Sequence, residues 1–151
     1  MIQAQASKVI PLVLGTVSTS ATASASFDAS GWSYGMIEVL VIKPTAASSA
    51  VTLTALAVEE ADASTYAAIS GLTGTTNTTA ASGEFVIPPT VTTDTNVIRL
   101  GFNNVGRKKN LRVKYQGVTG GATLAVTARL SNGEEAPVSA SEQGVLTAVN
   151  V

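Results

Sequence analysis

The densest chemistry in this sequence is a basic run, Arg107-Lys108-Lys109-Asn110-Leu111-Arg112-Val113-Lys114, which holds five of the nine basic residues. Clustered cations of this kind suit an electrostatic contact with an acidic surface, of protein or nucleic acid. Nucleic-acid binding usually adds aromatic rings on which bases stack. Here only Tyr115 is close, and the alternation Leu111, Val113, Tyr115 turns it toward a core, so no nucleic-acid partner is expected. Arg107, Lys108 and Lys109 are expected on a solvated turn, with Arg112 and Lys114 on the polar face of the strand that follows. These five are the candidate partner-binding residues.

Acidic residues cluster at Glu59, Glu60 and Asp62, and again at Glu134 and Glu135. A carboxylate pair can hydrolyse glycosides when burial raises the pKa of one member. Flanked by Ala, Ser and Asn, both clusters are expected in loops, without that burial. The run Glu59-Glu60-Ala61-Asp62-Ala63-Ser64 also lacks the alternating oxygen ligands of calcium loops. The sequence contains neither cysteine nor histidine. Thiolate chemistry, disulfides, histidine-assisted nucleophiles and nitrogen/sulfur zinc sites therefore have no residues to use. Gly101-Phe102-Asn103-Asn104-Val105-Gly106 lacks the spacing and the following helix of a phosphate-cradling loop. No catalytic residue, metal ligand or cofactor is assigned, and the protein is expected not to be an enzyme.

The single tryptophan, Trp32, follows the turn Phe27-Asp28-Ala29-Ser30-Gly31. An exposed Trp face stacks well on sugar rings, which would suit a receptor- or glycan-binding module of a fibre or tail. The expected role is instead a core plug beside a strand, with Asp28 capping the turn through an Asx-type bond.

Period-two alternation bounded by Gly, Pro, Asn and Ser positions these residues on short strands. Leu111, Val113 and Tyr115 alternate with Arg112, Lys114 and Gln116; Leu124, Val126, Ala128 and Leu130 alternate with Thr123, Ala125, Thr127 and Arg129. Gly117 to Ala122 between them predicts a hairpin in which Tyr115 faces Leu124 and Val113 faces Val126, so that the apolar faces coincide. Met36 to Ile42, apolar on both faces except at Glu38, predicts a central strand. Val51, Leu53, Ala55 and Ala57 predict another, as do Ile98, Leu100 and Phe102. Shorter strands are expected at Ile10–Leu14, Phe85–Ile87 and Val145–Val149, and residues 16–27 form a Thr/Ser/Ala strand. Glu59 to Ile69 is the best helical stretch, but Asp62, Ser64, Thr65 and Gly71 predict a loop or a single turn. Gly71 to Gly83, almost entirely small and polar, is expected to be a mobile surface loop. Seven or eight strands at this spacing predict an all-β, single-domain β-sandwich or jelly roll. Residues 1–14 form a flexible N-terminal arm or edge strand, 15–138 the sandwich, and 139–151 a C-terminal tail or edge strand.

The composition agrees with assembly. The 151 residues suit one domain, and only 13% are charged against 45% hydrophobic. So little charge is economical when part of the surface is covered by a partner. A net charge of −1 gives no global attraction to nucleic acid or anionic membrane. No run approaches the roughly 18 apolar residues of a membrane span. The start, Met1 to Lys8, lacks the features of a signal peptide, so synthesis in a cytoplasm is expected.

Three segments carry a resemblance: Phe27-Asp28-Ala29-Ser30-Gly31-Trp32; the run from Val51 through Glu59-Glu60-Ala61-Asp62-Ala63-Ser64-Thr65-Tyr66; and Ile98 through Gly106-Arg107-Lys108-Lys109-Asn110-Leu111-Arg112-Val113, with Ala136-Pro137-Val138 further on. Their order over residues 27–138 resembles a group of small tailed-phage head proteins, the jelly-roll capsid decoration (cement) proteins. Asn110 stands where that group usually has an aromatic residue. The resemblance implies a jelly-roll fold, a place on the virion surface, the major capsid protein as partner, self-association as a homotrimer, and synthesis in a bacterial host. On this reading Arg107, Lys108 and Lys109 meet an acidic shell surface, and the two terminal segments add strands to neighbours.

Overall fold

A computed structural model of the chain describes residues 7–16, 22–42, 53–76, 83–87, 96–118, 123–132 and 147–150. They form ten strands: β1 (Ser7–Thr16), β2 (Thr22–Asp28), β3 (Tyr34–Ile42), β4 (Leu53–Ala61), β5 (Ala67–Thr75), β6 (Glu84–Val86), β7 (Asn96–Asn103), β8 (Asn110–Val118), β9 (Thr123–Ser131) and β10 (Thr147–Asn150). Sheet A has the order β1-β9-β3-β7-β10 and sheet B the order β2-β8-β4-β5-β6. Four antiparallel pairs are nested along the chain: β4 with β5, β3 with β7, β2 with β8, and β1 with β9. A long hairpin ribbon rolled over two sheets produces this nesting, so the sandwich is a jelly roll. The short strands β6 and β10 extend the edges by parallel pairing with β5 and β7.

The core lies between the sheets. Sheet A contributes Ile37, Val39 and Val41, Ile98, Leu100 and Phe102, and Leu124, Val126, Ala128 and Leu130. Sheet B answers with Phe27, Leu56, Val58, Ile69, Leu72, Leu111, Val113 and Tyr115. Each fully buried aliphatic side chain contributes about 1.5–3 kcal/mol relative to exposure, which is why alternate positions on nearly every strand are spent on it.

The predicted hairpin does not form. β8 pairs with β2 and β4 in sheet B, whereas β9 pairs with β1 and β3 in sheet A. Tyr115 and Val113 still face the same core as Leu124 and Val126, but from opposite walls. Alternation fixes which face is buried, and a lateral neighbour and a strand across the core satisfy it equally.

Two other expectations change. On β4 the inward set is Leu53, Leu56 and Val58, while Ala55 and Ala57 are only half-buried. The phase slips beside Thr54, whose hydroxyl lies 3.0 and 2.7 Å from the Gln116 and Gly117 carbonyl oxygens of β8. The larger side chains Leu56 and Val58 then take the core positions that strict alternation assigns to alanines. The supposed loop beginning at Gly71 instead completes β5 as far as Thr75, because Ile69 and Leu72 anchor it; residues 77–82 lie outside the described set. Gly74 is required there, since a Cβ would run into the Phe85 ring. The Glu59–Ile69 stretch is not helical: β4 runs to Ala61 and β5 starts at Ala67. Within the segments 1–14 and 139–151, the described parts form β1 and β10, the two edges of sheet A.

Candidate partner-binding site

Two tight turns lie together at one end of the sandwich. Trp32 N–H donates to Ala29 O at 3.4 Å with Gly31 at φ 79°, and Arg107 N–H donates to Asn104 O at 3.2 Å with Gly106 at φ 80°. A positive φ at the third position is the type II pattern, and glycine alone takes it without strain. Asn104 joins the turns: its buried Nδ2 donates to Ala29 O and Trp32 O, both at 2.9 Å. Ala29 N–H also donates to Lys109 O at 2.8 Å. Inside the first turn, the Asp28 carboxylate accepts from Ser30 N–H at 2.8 Å and from the Ser30 hydroxyl. This is the expected Asx cap. The hydroxyl bond above all, then the backbone bond, holds the Asp28 carboxyl below its ordinary value, with Lys109 and Lys8 adding to the effect.

The basic run starts on this end and continues along the outer face of sheet B. Antiparallel pairing sets Glu59 of β4 directly opposite Arg112 of β8. Arg112 Nε donates to Glu59 Oε2 at 2.8 Å, its second nitrogen reaches the same oxygen, and Lys114 Nζ lies 3.8 Å from Oε1. The Arg112 guanidinium also covers the Tyr66 ring at 4.0 Å from its centroid, a cation–π contact. Glu60, next along β4, faces the turn: it accepts from Lys108 N–H at 3.4 Å and lies 4.0 Å from Arg107 Nη1. Lys108 Nζ meets Asp62 at 3.0 Å, and Arg107 Nε donates to Asn103 O at 2.8 Å.

The acidic and basic clusters, about 50 residues apart in sequence, are therefore one ladder of opposed charges. Glu59 does not lie in a loop: it sits within β4, 8% exposed. A carboxylate held by two cations stays ionised and is a poor general acid. Of the five candidate residues, Arg107 and Arg112 are engaged within the molecule, Lys108 and Lys114 are engaged but still about half exposed at the side chain, and Lys109 is exposed at the turn. Among the described residues no group of three or more acidic side chains converges as a metal site would require. Glu134 and Glu135 lie outside the described set. Trp32 is half-buried and packs against the core.

Sequence reasoning passed over a second surface, the outer face of sheet A. Residues paired across strands share a face. Met36 pairs with Arg129, Glu38 with Thr127 and Arg99, and Leu40 with Ala125 and Val97. Val9 and Leu14 of β1 pair with Arg129 and Ala125 and so join them. Val9, Leu14, Met36, Leu40, Ile42 and Val97 thus look outward, with Leu14 81% and Val9 56% exposed. Near the centre, Arg99 Nε closes on Glu38 at 2.6 Å beside a shallow groove around Leu40. The outer face of sheet B has one large aliphatic among its described residues, Val86. The signal for this surface was the doubly apolar pattern of β3, which a central strand of a two-layer sandwich does not need on its outer side.

Compared with known protein families and with curated proteins, the sequence matches none. No helix among the described residues is long and apolar enough to cross a membrane.

Proposed function

We propose that this chain is a non-enzymatic structural protein of a virus particle: a decoration (cement) protein on the outer surface of a tailed-phage head, stabilising contacts between capsomers. The observation that carries the reading is the asymmetry of the sandwich. One outer face is a closed ladder of ion pairs, and the other is apolar enough to need a cover. A surface built to be covered suits a protein that acts by assembly, where many copies add contact area and bound protein stabilises the shell by mass action. Lys108 and Lys109, on a turn pinned by Asn104 and Glu60, are the groups best placed to meet an acidic shell protein.

The glycan-binding alternative needs a freely presented aromatic platform, and the packing of Trp32 against the core speaks against it. The first test is the copy number of the chain in gradient-purified particles, by quantitative mass spectrometry against the major shell protein. A simple ratio to the shell subunit is expected. A handful of copies would transfer the chain to the tail or fibre, and absence would end the structural reading. Within a decoration role, Lys108→Ala with Lys109→Ala should weaken binding to purified shells while leaving Arg107 to hold the turn; undiminished binding would remove the turn from the contact.

A further inference from the structure

We infer that two copies of this chain pair through the outer faces of sheet A, packed face to face about a twofold axis. In a two-layer sandwich, inner faces are apolar and outer faces polar. β3 breaks that rule with Met36, Leu40 and Ile42 on its outer side, and Val9, Leu14 and Val97 extend the apolar surface across three neighbouring strands. Sheet A therefore has the character of an inner layer, with sheet B on one side and a partner on the other.

Three observations select a second copy as that partner. First, the surface complements itself and nothing else described on the molecule. Sheet B presents Arg112, Lys114, Gln116 and the small residues of β2 outward, so a head-to-tail contact would set Leu40 and Met36 against charge. Apolar against apolar requires the same patch on both copies, and an isologous contact closes as a dimer, not as the trimer that the resemblance implies. Second, the charges permit burial. Glu38 is already bonded to Arg99, so covering it leaves no lone carboxylate, while Arg129 remains at the exposed end of β9. Third, the size is adequate. Four strands about 4.8 Å apart and nine residues long cover about 600 Å² in plan. Side-chain relief brings that near the roughly 800 Å² per partner of a stable interface.

The edge of the sheet is closed to the same purpose. β1 carries Pro11, which has no N–H to offer, and a register irregularity between Pro11 and Val13. Proline and bulges are devices that block strand addition at an edge. Copies that cannot add edge to edge at β1 still have the face.

The inference stands apart from the capsid reading and is tested without particles, by sedimentation velocity of the full chain. A species of twice the 15.2 kDa chain mass is expected. Leu40→Asp at the centre of the face should raise the dissociation constant at least about a hundredfold. Because Leu40→Asp could also perturb folding, Leu14→Asp, at an 81% exposed position, provides the second probe and should weaken pairing with an unchanged circular-dichroism melt. Ser24→Asp, on the outer face of sheet B, should leave the dimer as it is. A monomer at the highest soluble concentration, a three-copy species, or a dimer indifferent to both leucine substitutions would overturn the inference.

Discussion

Glu59 organises the charged face of sheet B. Its two oxygens serve Arg112 and Lys114, and Arg112 in turn lies on Tyr66. Glu59→Gln keeps the shape but removes the charge both cations face, and it should destabilise the fold by about 1–2 kcal/mol, between a buried and an exposed pair. Urea unfolding checks this, and an unchanged midpoint would demote the ladder to surface decoration. Tyr115 offers a pH test. Burial raises its hydroxyl above the ordinary 10.0. A folded pKa above the unfolded one gives stability that is fully present below pH 10 and is lost as pH rises toward the folded value. The wild-type midpoint should therefore fall between about pH 9 and about pH 11, and Tyr115→Phe should flatten that fall.

At the scale of elements, close packing of β3 on β7 depends on a residue with no side chain. A Cβ on Gly35 would fall within the Phe102 ring, which is itself buried beside its register partner. Gly35→Ala should cost about 1–3 kcal/mol by overpacking. The same substitution in a Phe102→Leu background should cost at least about 1 kcal/mol less, because the two sites share one contact. A double-mutant cycle by thermal unfolding measures the coupling, and strict additivity would show that the ring moves aside without cost.

For the whole molecule, the nested pairing places β1 against β9 and β2 against β8, so the first strands are completed by strands about a hundred residues later. Such topology brings loop-closure entropy before most contacts form. Refolding on the order of milliseconds to seconds is expected, the range of β-sandwiches rather than of helical bundles. Stopped-flow fluorescence of Trp32 follows it. A face-to-face pair would also carry two copies of the Arg107–Lys109 turn, so that one dimer could engage two shell sites and bind by avidity.

Alternation by itself determined that this chain is all-β, and it marked the inward faces of β3, β7, β8 and β9, because burial of every second residue leaves a local trace. The turn at Asp28–Trp32 was equally legible, since Asp, Ser and Gly at those positions have one economical geometry. Which strands become neighbours was decided only by the tertiary structure. Tyr115 and Leu124 fit a hairpin and a jelly-roll crossing equally well, and the choice rests on all eight long strands closing together. The same holds for the site. Glu59 and Arg112 were visible as separate clusters, but cross-strand register opposed them and turned two candidate sites into one ladder. The apolar outer face of sheet A was written in β3 as well. Its meaning appeared only once sheet B had taken one side of that strand and left Met36, Leu40 and Ile42 looking out.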